Sequence, residues 1–140
     1  SRERFLTEKA KQLSVFVMNK ALQKHMADLK DQQEVLLRLA DMVIACYAMD
    51  STVTRTLQTP ASSPLVGLRR AAAGLIVARH YPEVLQLAQE LCNHLAGGDE
   101  GLLASYEAAQ ARFTWRHGIN VVSRQRALAG AVIDKLRYPL

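Results

Sequence analysis

Aromatic residues are scarce: three Phe, four Tyr and one Trp in 140 residues. A core must therefore be built mainly from Leu, Val, Ile, Met and Ala, the usual filling of helix bundles. Glycine is nowhere arranged to cradle a phosphate. Gly97-Gly98 is followed by no Walker lysine, and no Gly-x-Gly-x-x-Gly occurs. There is no Gly-x-Ser-x-Gly elbow for a nucleophilic serine. There is no Glu-x-x-His pair of the kind that loads a di-iron bundle. No apolar run reaches the roughly 18 residues needed to span a bilayer, and no signal peptide is visible. The chain opens on Ser1 and not on Met, as a processed or excised piece does.

Cysteine is limited to Cys46 and Cys92, each alone in an apolar stretch and without a Cys-x-x-Cys partner. That pattern fits two reduced, buried thiols in a reducing compartment, with a disulfide between them left open by sequence. Neither has a recognisable His and Asn or Asp constellation. Glu90 and His94 are four residues apart but have no second copy to complete a metal site. The remaining histidines, His25, His80 and His117, read as helix-end residues that bond free carbonyls. No catalytic, cofactor-binding or metal-ligating residue is nominated in this chain.

What is present is ordinary in amount: 49% apolar residues, 22% charged residues and a formal net charge of +5. The composition argues against disorder and favours one domain spanning 1–140. The positive excess comes from Arg, scattered as Arg69, Arg70, Arg79, Arg112, Arg116, Arg124, Arg126 and Arg137. It inclines the chain towards acidic partners such as nucleic acid, anionic lipid or coenzyme phosphates. Scattered arginine is more often a solvated face than a binding stripe.

Helical period dominates. Leu6, Ala10, Leu13, Val17, Ala21 and Met26 fall on one face, with Phe16 and Leu29 beside it. Asp31-Gln-Gln-Glu34 reads as a capping box for a second helix. That helix carries Val35, Leu36, Leu39, Met42, Val43, Cys46, Tyr47 and Val53 at core spacing, ending near Leu57. Whether these two helices are separate or one bent helix is open. Asp41 stands among apolar neighbours, so it is expected to be buried and to need a partner on another helix. A contact surface to a neighbouring domain is the alternative. Gln58 to Pro64 is the clearest loop, and Ser63 before Pro64 predicts a helix start.

The third helix is expected to run to about His80, with Pro82 breaking it and opening a fourth. It is apolar nearly all round, which suggests burial on two sides. The alternative is a membrane or anionic surface met by Arg69, Arg70 and Arg79. Val84, Ala88, Leu91 and Leu95 share the face of the fourth helix, which Gly97-Gly98 ends. Asp99 then caps a helix with Leu102, Tyr106, Ala109 and Phe113, stopped by Gly118. Asn120 caps the last helix, which carries Val121, Val122, Leu128, Val132, Ile133 and Leu136. The fold class is all-α: an up-and-down antiparallel bundle of five to six helices.

One stretch carries a resemblance. Leu36 to Thr56 contains Ala40-Asp41, Tyr47-Ala48-Met49 and Arg55. It resembles the long helix in the extra C-terminal domain of the very-long-chain acyl-CoA dehydrogenases and their bacterial relatives. The likeness spans about residues 13–57, preceded in the same order by a basic helix and Asp31-Gln-Gln-Glu34. Tyr138-Pro139 looks like the end of such chains, and the second half is similar only in its helical character.

The resemblance implies a parent flavoenzyme, with Asp41, Tyr47, Met49 and Arg55 in structural or interdomain roles. Such enzymes hold FAD and oxidise an acyl-CoA, a Glu taking the α-proton and the flavin the β-hydride. Those motifs lie upstream in the family, and none is matched here; FAD belongs to the parent. The implied partners are the upstream catalytic core, a second copy of the chain and an anionic membrane surface. A bacterial cytoplasmic setting is implied, peripheral to the membrane at most. The rival reading is a free-standing helical protein that binds nucleic acid through its arginines. No clustered basic reading helix supports it.

Overall fold

The computed structural model describes residues 1–135. Five α-helices follow one another: α1 (Arg2–His25), α2 (Gln33–Leu57), α3 (Val66–Ala96), α4 (Glu100–Gln110) and α5 (Val121–Lys135). Single 3-10 segments, Met26–Asp31 and Ala111–Phe113, follow α1 and α4. No strand occurs among the described residues, and the all-α bundle expected from periodicity is what forms.

The first two helices are separate. Met26 ends α1 at φ 48°, the positive-φ non-glycine residue of the described backbone. It is exposed and does not join the α1 core face. Leu6, Ala10, Leu13, Val17 and Ala21 do, as their spacing requires. Antiparallel pairing of α1 with α2 is fixed by two cross-contacts, Lys11 Nζ to Asp50 Oδ1 at 2.7 Å and Ser14 Oγ to Cys46 Sγ at 3.4 Å. The capping box does not form. Asp31 is consumed by the 3-10 turn, and Gln32 opens α2 without a side-chain cap. The Leu36 amide bonds the Gln32 carbonyl instead, so the helix begins one residue too late for the box.

The main departure is α3. Pro82 neither ends a helix nor starts one; it lies inside a continuous helix of 31 residues. A mid-helix proline costs about 3 kcal/mol, through one lost hydrogen bond and a clash with the preceding turn. Two features offset that. Pro82 is exposed, so water can reach the carbonyl it leaves free. Val77, Tyr81, Val84, Ala88, Leu91 and Leu95 are all buried and form one stripe that runs past it. Their spacings alternate between four and three, so bending the helix at Pro82 would split a single apolar seam. The same seam makes α3 the element that touches α1, α2, α4 and α5. Burial on more than one side, expected from its composition, is observed.

The helix starts later than Ser63-Pro64 suggests. Those residues lie in a turn where the Ser63 hydroxyl accepts from the Leu65 amide at 3.2 Å, and α3 begins at Val66. Its far end matches expectation. Gly97 takes the left-handed conformation at φ 59°, and Lys24 Nζ reaches across from α1 to the Leu95 carbonyl at 2.7 Å.

Asp99 caps α4 through the Leu102 amide at 3.0 Å, and Asn120 caps α5 through the Ser123 amide at 2.9 Å. Yet α4 stops well before Gly118. The buried Tyr81 hydroxyl donates to the Phe113 carbonyl and accepts from the Trp115 amide. Those groups are thereby diverted from a helix ladder, and Thr114 is extended. Nor does α5 carry core residues as its pattern suggests. Val122, Val132 and Ile133 are exposed, because its principal packing is against α3 alone. Leu136, Arg137 and Tyr138-Pro139 lie outside the described residues.

If α3 is one helix through Pro82, Pro82→Ala restores a backbone hydrogen bond and should stabilise the protein by about 1–3 kcal/mol. The urea midpoint reads this. A proline at a true helix start would instead give no gain or a loss.

Candidate functional site

The residues singled out on α2 separate onto two faces. A helix turns by roughly 100° per residue, so Val35, Leu39, Met42, Cys46, Met49 and Val53 point to the core. Leu37, Asp41, Ile44 and Tyr47 share the opposite side. Asp41 is therefore exposed, not buried, and needs no partner on another helix. Tyr47 is 74% exposed and Val43 is also on the outside, against the expectation of core positions. Met49 is fully buried, and Arg55 is exposed.

Leu37 and Ile44, which periodicity did not single out, are 64% and 63% exposed. The available signal was the excess of apolar residues on α2: with Val35, Leu39, Met42 and Cys46 already on one face, Leu37 and Ile44 fall roughly 160° or more from the centre of that stripe. The result is an apolar outer face with one carboxylate, on a helix whose inner face is already satisfied. Asp50 pairs with Lys11 of α1 and not with Arg55, and that hydrogen bond raises the Lys11 ammonium pKa.

The α3 arginines do not make one patch. Arg70 and Arg79 are nine residues apart, which puts them on opposite sides of the helix. Arg79 is exposed. Arg70 lines a cleft of about 450 Å³ with Arg2, Arg124 and Glu3. Glu3 already serves as the anion there: its Oε1 lies 3.1 Å from Arg124 Nη2 and 3.8 Å from Arg2 Nη2. Arg124 also donates to the Arg70 carbonyl at 2.7 Å. Arg69 turns the other way, into a second cleft of about 390 Å³ that it shares with Arg55. Nothing in the periodicity joins Arg55 to Arg69, because they come from different helices across a loop.

Residues 9–104 match the family described as "Acyl-CoA dehydrogenase, C-terminal domain". The chain belongs to that family. It is 28% identical to a probable acyl-CoA dehydrogenase of Bacillus subtilis (strain 168), over 97% of this chain and 23% of that protein. It also superposes on the crystal structure of an acyl-CoA dehydrogenase complexed with FAD from Bacillus anthracis. That likeness has a TM-score of 0.88 and 25% identity, over 97% of this chain and 23% of the other. The chain thus spans less than a quarter of the length of each of these relatives.

Within this acyl-CoA dehydrogenase C-terminal domain, the family match takes in most of α1 and all of α2 and α3, and hence the outer α2 face and both Arg55 and Arg69. Leu128 of the second cleft lies beyond it. Several polar residues elsewhere have structural partners. Glu90 binds Arg38 Nε at 3.1 Å. His94 stacks on His25 at 5.6 Å between ring centroids, and His25 lies in the last turn of α1 as expected. His80 lies mid-α3, not at a helix end, 3.0 Å from Glu83. His117 Nδ1 accepts from the Ile119 amide. No group of three or more His, Cys, Asp or Glu residues arranged for a metal occurs among the described residues. No described helix is long and apolar enough to cross a membrane.

Both cysteines are free and buried. Burial pushes both thiols up, against the smaller opposing effects of the Ser14 and Gln110 hydrogen bonds. A nucleophile needs the reverse. Native thiols that hold their protons to higher pH than unfolded ones favour the fold fully below the unfolded value, about 8.5. That contribution is lost as pH rises through the folded value. Buried Tyr81, raised likewise, adds to the alkaline loss. Urea midpoints should therefore fall between about pH 8 and about pH 10, and less so in Cys46→Ala/Cys92→Ala. An identical fall in that variant would remove the thiols from the account.

Proposed function

We infer that this chain is the non-catalytic C-terminal domain of an FAD-dependent acyl-CoA dehydrogenase, which packs on the enzyme's catalytic core through the outer face of α2. The observation that carries the reading is the family match over residues 9–104, joined to relatives more than four times as long. The outer α2 face supports it: Leu37, Ile44 and Tyr47 are apolar, exposed and on one side of one helix. Such a face is stabilised by a cover of comparable apolarity. The remaining three quarters of the parent chain is the nearest candidate.

FAD supplies a two-electron acceptor when bound, and it does not fit this chain. The single glycine pair, Gly97-Gly98, sits at the carbonyl end of α3, where the dipole is negative. The following N-terminus, of α4, is already capped by the Asp99 carboxylate. Neither offers a pyrophosphate the free N–H groups it requires. The chain's own residues therefore contribute packing and surface, and the dehydrogenation chemistry belongs to the rest of the parent.

Two measurements test the reading. The native reading frame upstream of Ser1 should encode a flavoprotein with an acyl-CoA cleft; a start codon within a few residues of Ser1 overturns the proposal. In the full enzyme, Leu37→Glu/Ile44→Glu should lower the melting temperature or change the oligomeric state. In the 140-residue chain alone it should change stability by no more than about 0.5 kcal/mol, as exposed substitutions do. Unchanged behaviour of the full enzyme removes the α2 face from the interface. Loss of a dimer of the isolated chain would make a second copy the occupant of that face.

A further inference from the structure

The second cleft is charged but uncompensated, unlike the cleft of Arg2, Arg70 and Arg124, where Glu3 serves as the anion. Arg55 comes from the last turn of α2 and Arg69 from the first turn of α3. The apolar wall is Ala72, Leu75 and Ile76 of α3, with Leu128 of α5 closing the other side. No Asp or Glu lines it. Among the described residues, neither guanidinium has a carboxylate within ion-pair distance, whereas Arg2, Arg38 and Arg124 all do.

Arg69 is held in place but not saturated. Its Nη1 donates to Thr59 Oγ1 at 2.8 Å, which fixes the plane of the guanidinium. Its Nε is buried and has no hydrogen-bond partner. A buried donor left unmade is costly, and a guanidinium fork suits a two-oxygen anion. The rim hydroxyls of Ser51, Thr52 and Thr56 donate to backbone carbonyls, to Tyr47, to Ala48, and to both Thr52 and Arg69. They are left as acceptors and add nothing for an anion, so recognition falls on the two arginines. The volume, about 390 Å³, lies within the range of small-molecule sites.

We propose that this cleft binds a soluble amphiphilic anion: a carboxylate or phosphate head paired with Arg55 and Arg69, and an alkyl chain lying along Leu75, Ile76 and Leu128. The pairing of head and tail follows from the lining itself. Two unpaired cations draw an anion, and the wall behind them offers it no further polar partner but does offer an alkyl chain apolar contact. This inference does not rest on the parent assigned above, because it uses only residues of this chain.

The test is titration of the 140-residue chain with decanoate, decyl phosphate and decanol, read by calorimetry and by methyl NMR of Leu75, Ile76 and Leu128. Both anions should bind and shift those methyls, with decanol weaker by roughly tenfold or more. Arg55→Gln should weaken decanoate by roughly tenfold without loss of fold, since Arg55 makes no side-chain contact that the core depends on. Arg69→Lys should weaken it too, keeping the charge but losing the fork. Arg112→Gln, exposed in the 3-10 segment after α4 and outside the cleft lining, should leave it unchanged.

Equal affinity for decanol, unchanged binding in Arg55→Gln, or methyl shifts elsewhere would each overturn the site. Phosphatidylglycerol vesicles serve as the remaining arm. Binding to vesicles that depends on Arg55, with no binding of monomeric decanoate or decyl phosphate, would overturn the soluble ligand in favour of a lipid surface.

Discussion

The fold depends on the apolar seam of α3 staying continuous across Pro82. Six buried positions from Val77 to Leu95 form it, and α1, α2 and α4 pack against that helix. A break at Pro82 would leave two short helices whose buried faces need not point the same way. Burial of large side chains is worth about 1.5–3 kcal/mol each, so a seam of this length outweighs the roughly 3 kcal/mol local cost of proline. Tyr81, next to the proline, adds a polar tie. Its hydroxyl holds the Phe113 carbonyl and the Trp115 amide, so the same residue that anchors the middle of α3 also ends the α4 region.

With the interior satisfied by α1, α2 and α3, the remaining chemistry is on the outside and is unevenly distributed. Lys11, Glu8 and Asp50 neutralise one another, as do Arg38 and Glu90, and Glu3 with Arg2 and Arg124. These are exposed or half-exposed pairs of small energetic consequence. Among the described residues, two places, on α2 and at its junction with α3, are left without an internal answer. One is the outer face of α2, apolar and exposed. The other is the cleft between Arg55 and Arg69, cationic and backed by aliphatic side chains. A partner gains most at such places, because only surface that is not already satisfied has free energy to gain from one.

Membership of the acyl-CoA dehydrogenase C-terminal domain family rests on pattern more than on particular residues. At 25% identity the superposed relative still gives a TM-score of 0.88. Cores tolerate wide substitution when volume and periodicity are kept, and the α1, α2 and α3 stripes are periodic in that sense. Outward-facing residues are under no such restraint from packing. That Tyr47, in the segment that carried the resemblance, is 74% exposed places part of that segment on the surface.

The sequence by itself determined the helical class, the core stripe of α1, the glycine end of α3 and the Asp99 and Asn120 caps. Each is a local matter, decided by side chains within one or two turns. It also marked Cys46 and Cys92 as buried, because apolar stretches accompany each, while leaving a disulfide between them open; the structure has both free. Only the tertiary structure decided the rest. Proline reads as a break until the buried seam of α3 is seen to run past it. Asp41 reads as buried until the rotation of α2 is set by its contacts with α1 and α3. The α5 pattern reads as core, yet that helix packs mainly on α3 and stays half in water. Arg55 and Arg69 lie fourteen residues apart on different helices, and the turn between α2 and α3 alone brings them to one cleft. Periodicity states which residues can share a face; which face is covered, and by what, is settled by the packing of whole helices against one another.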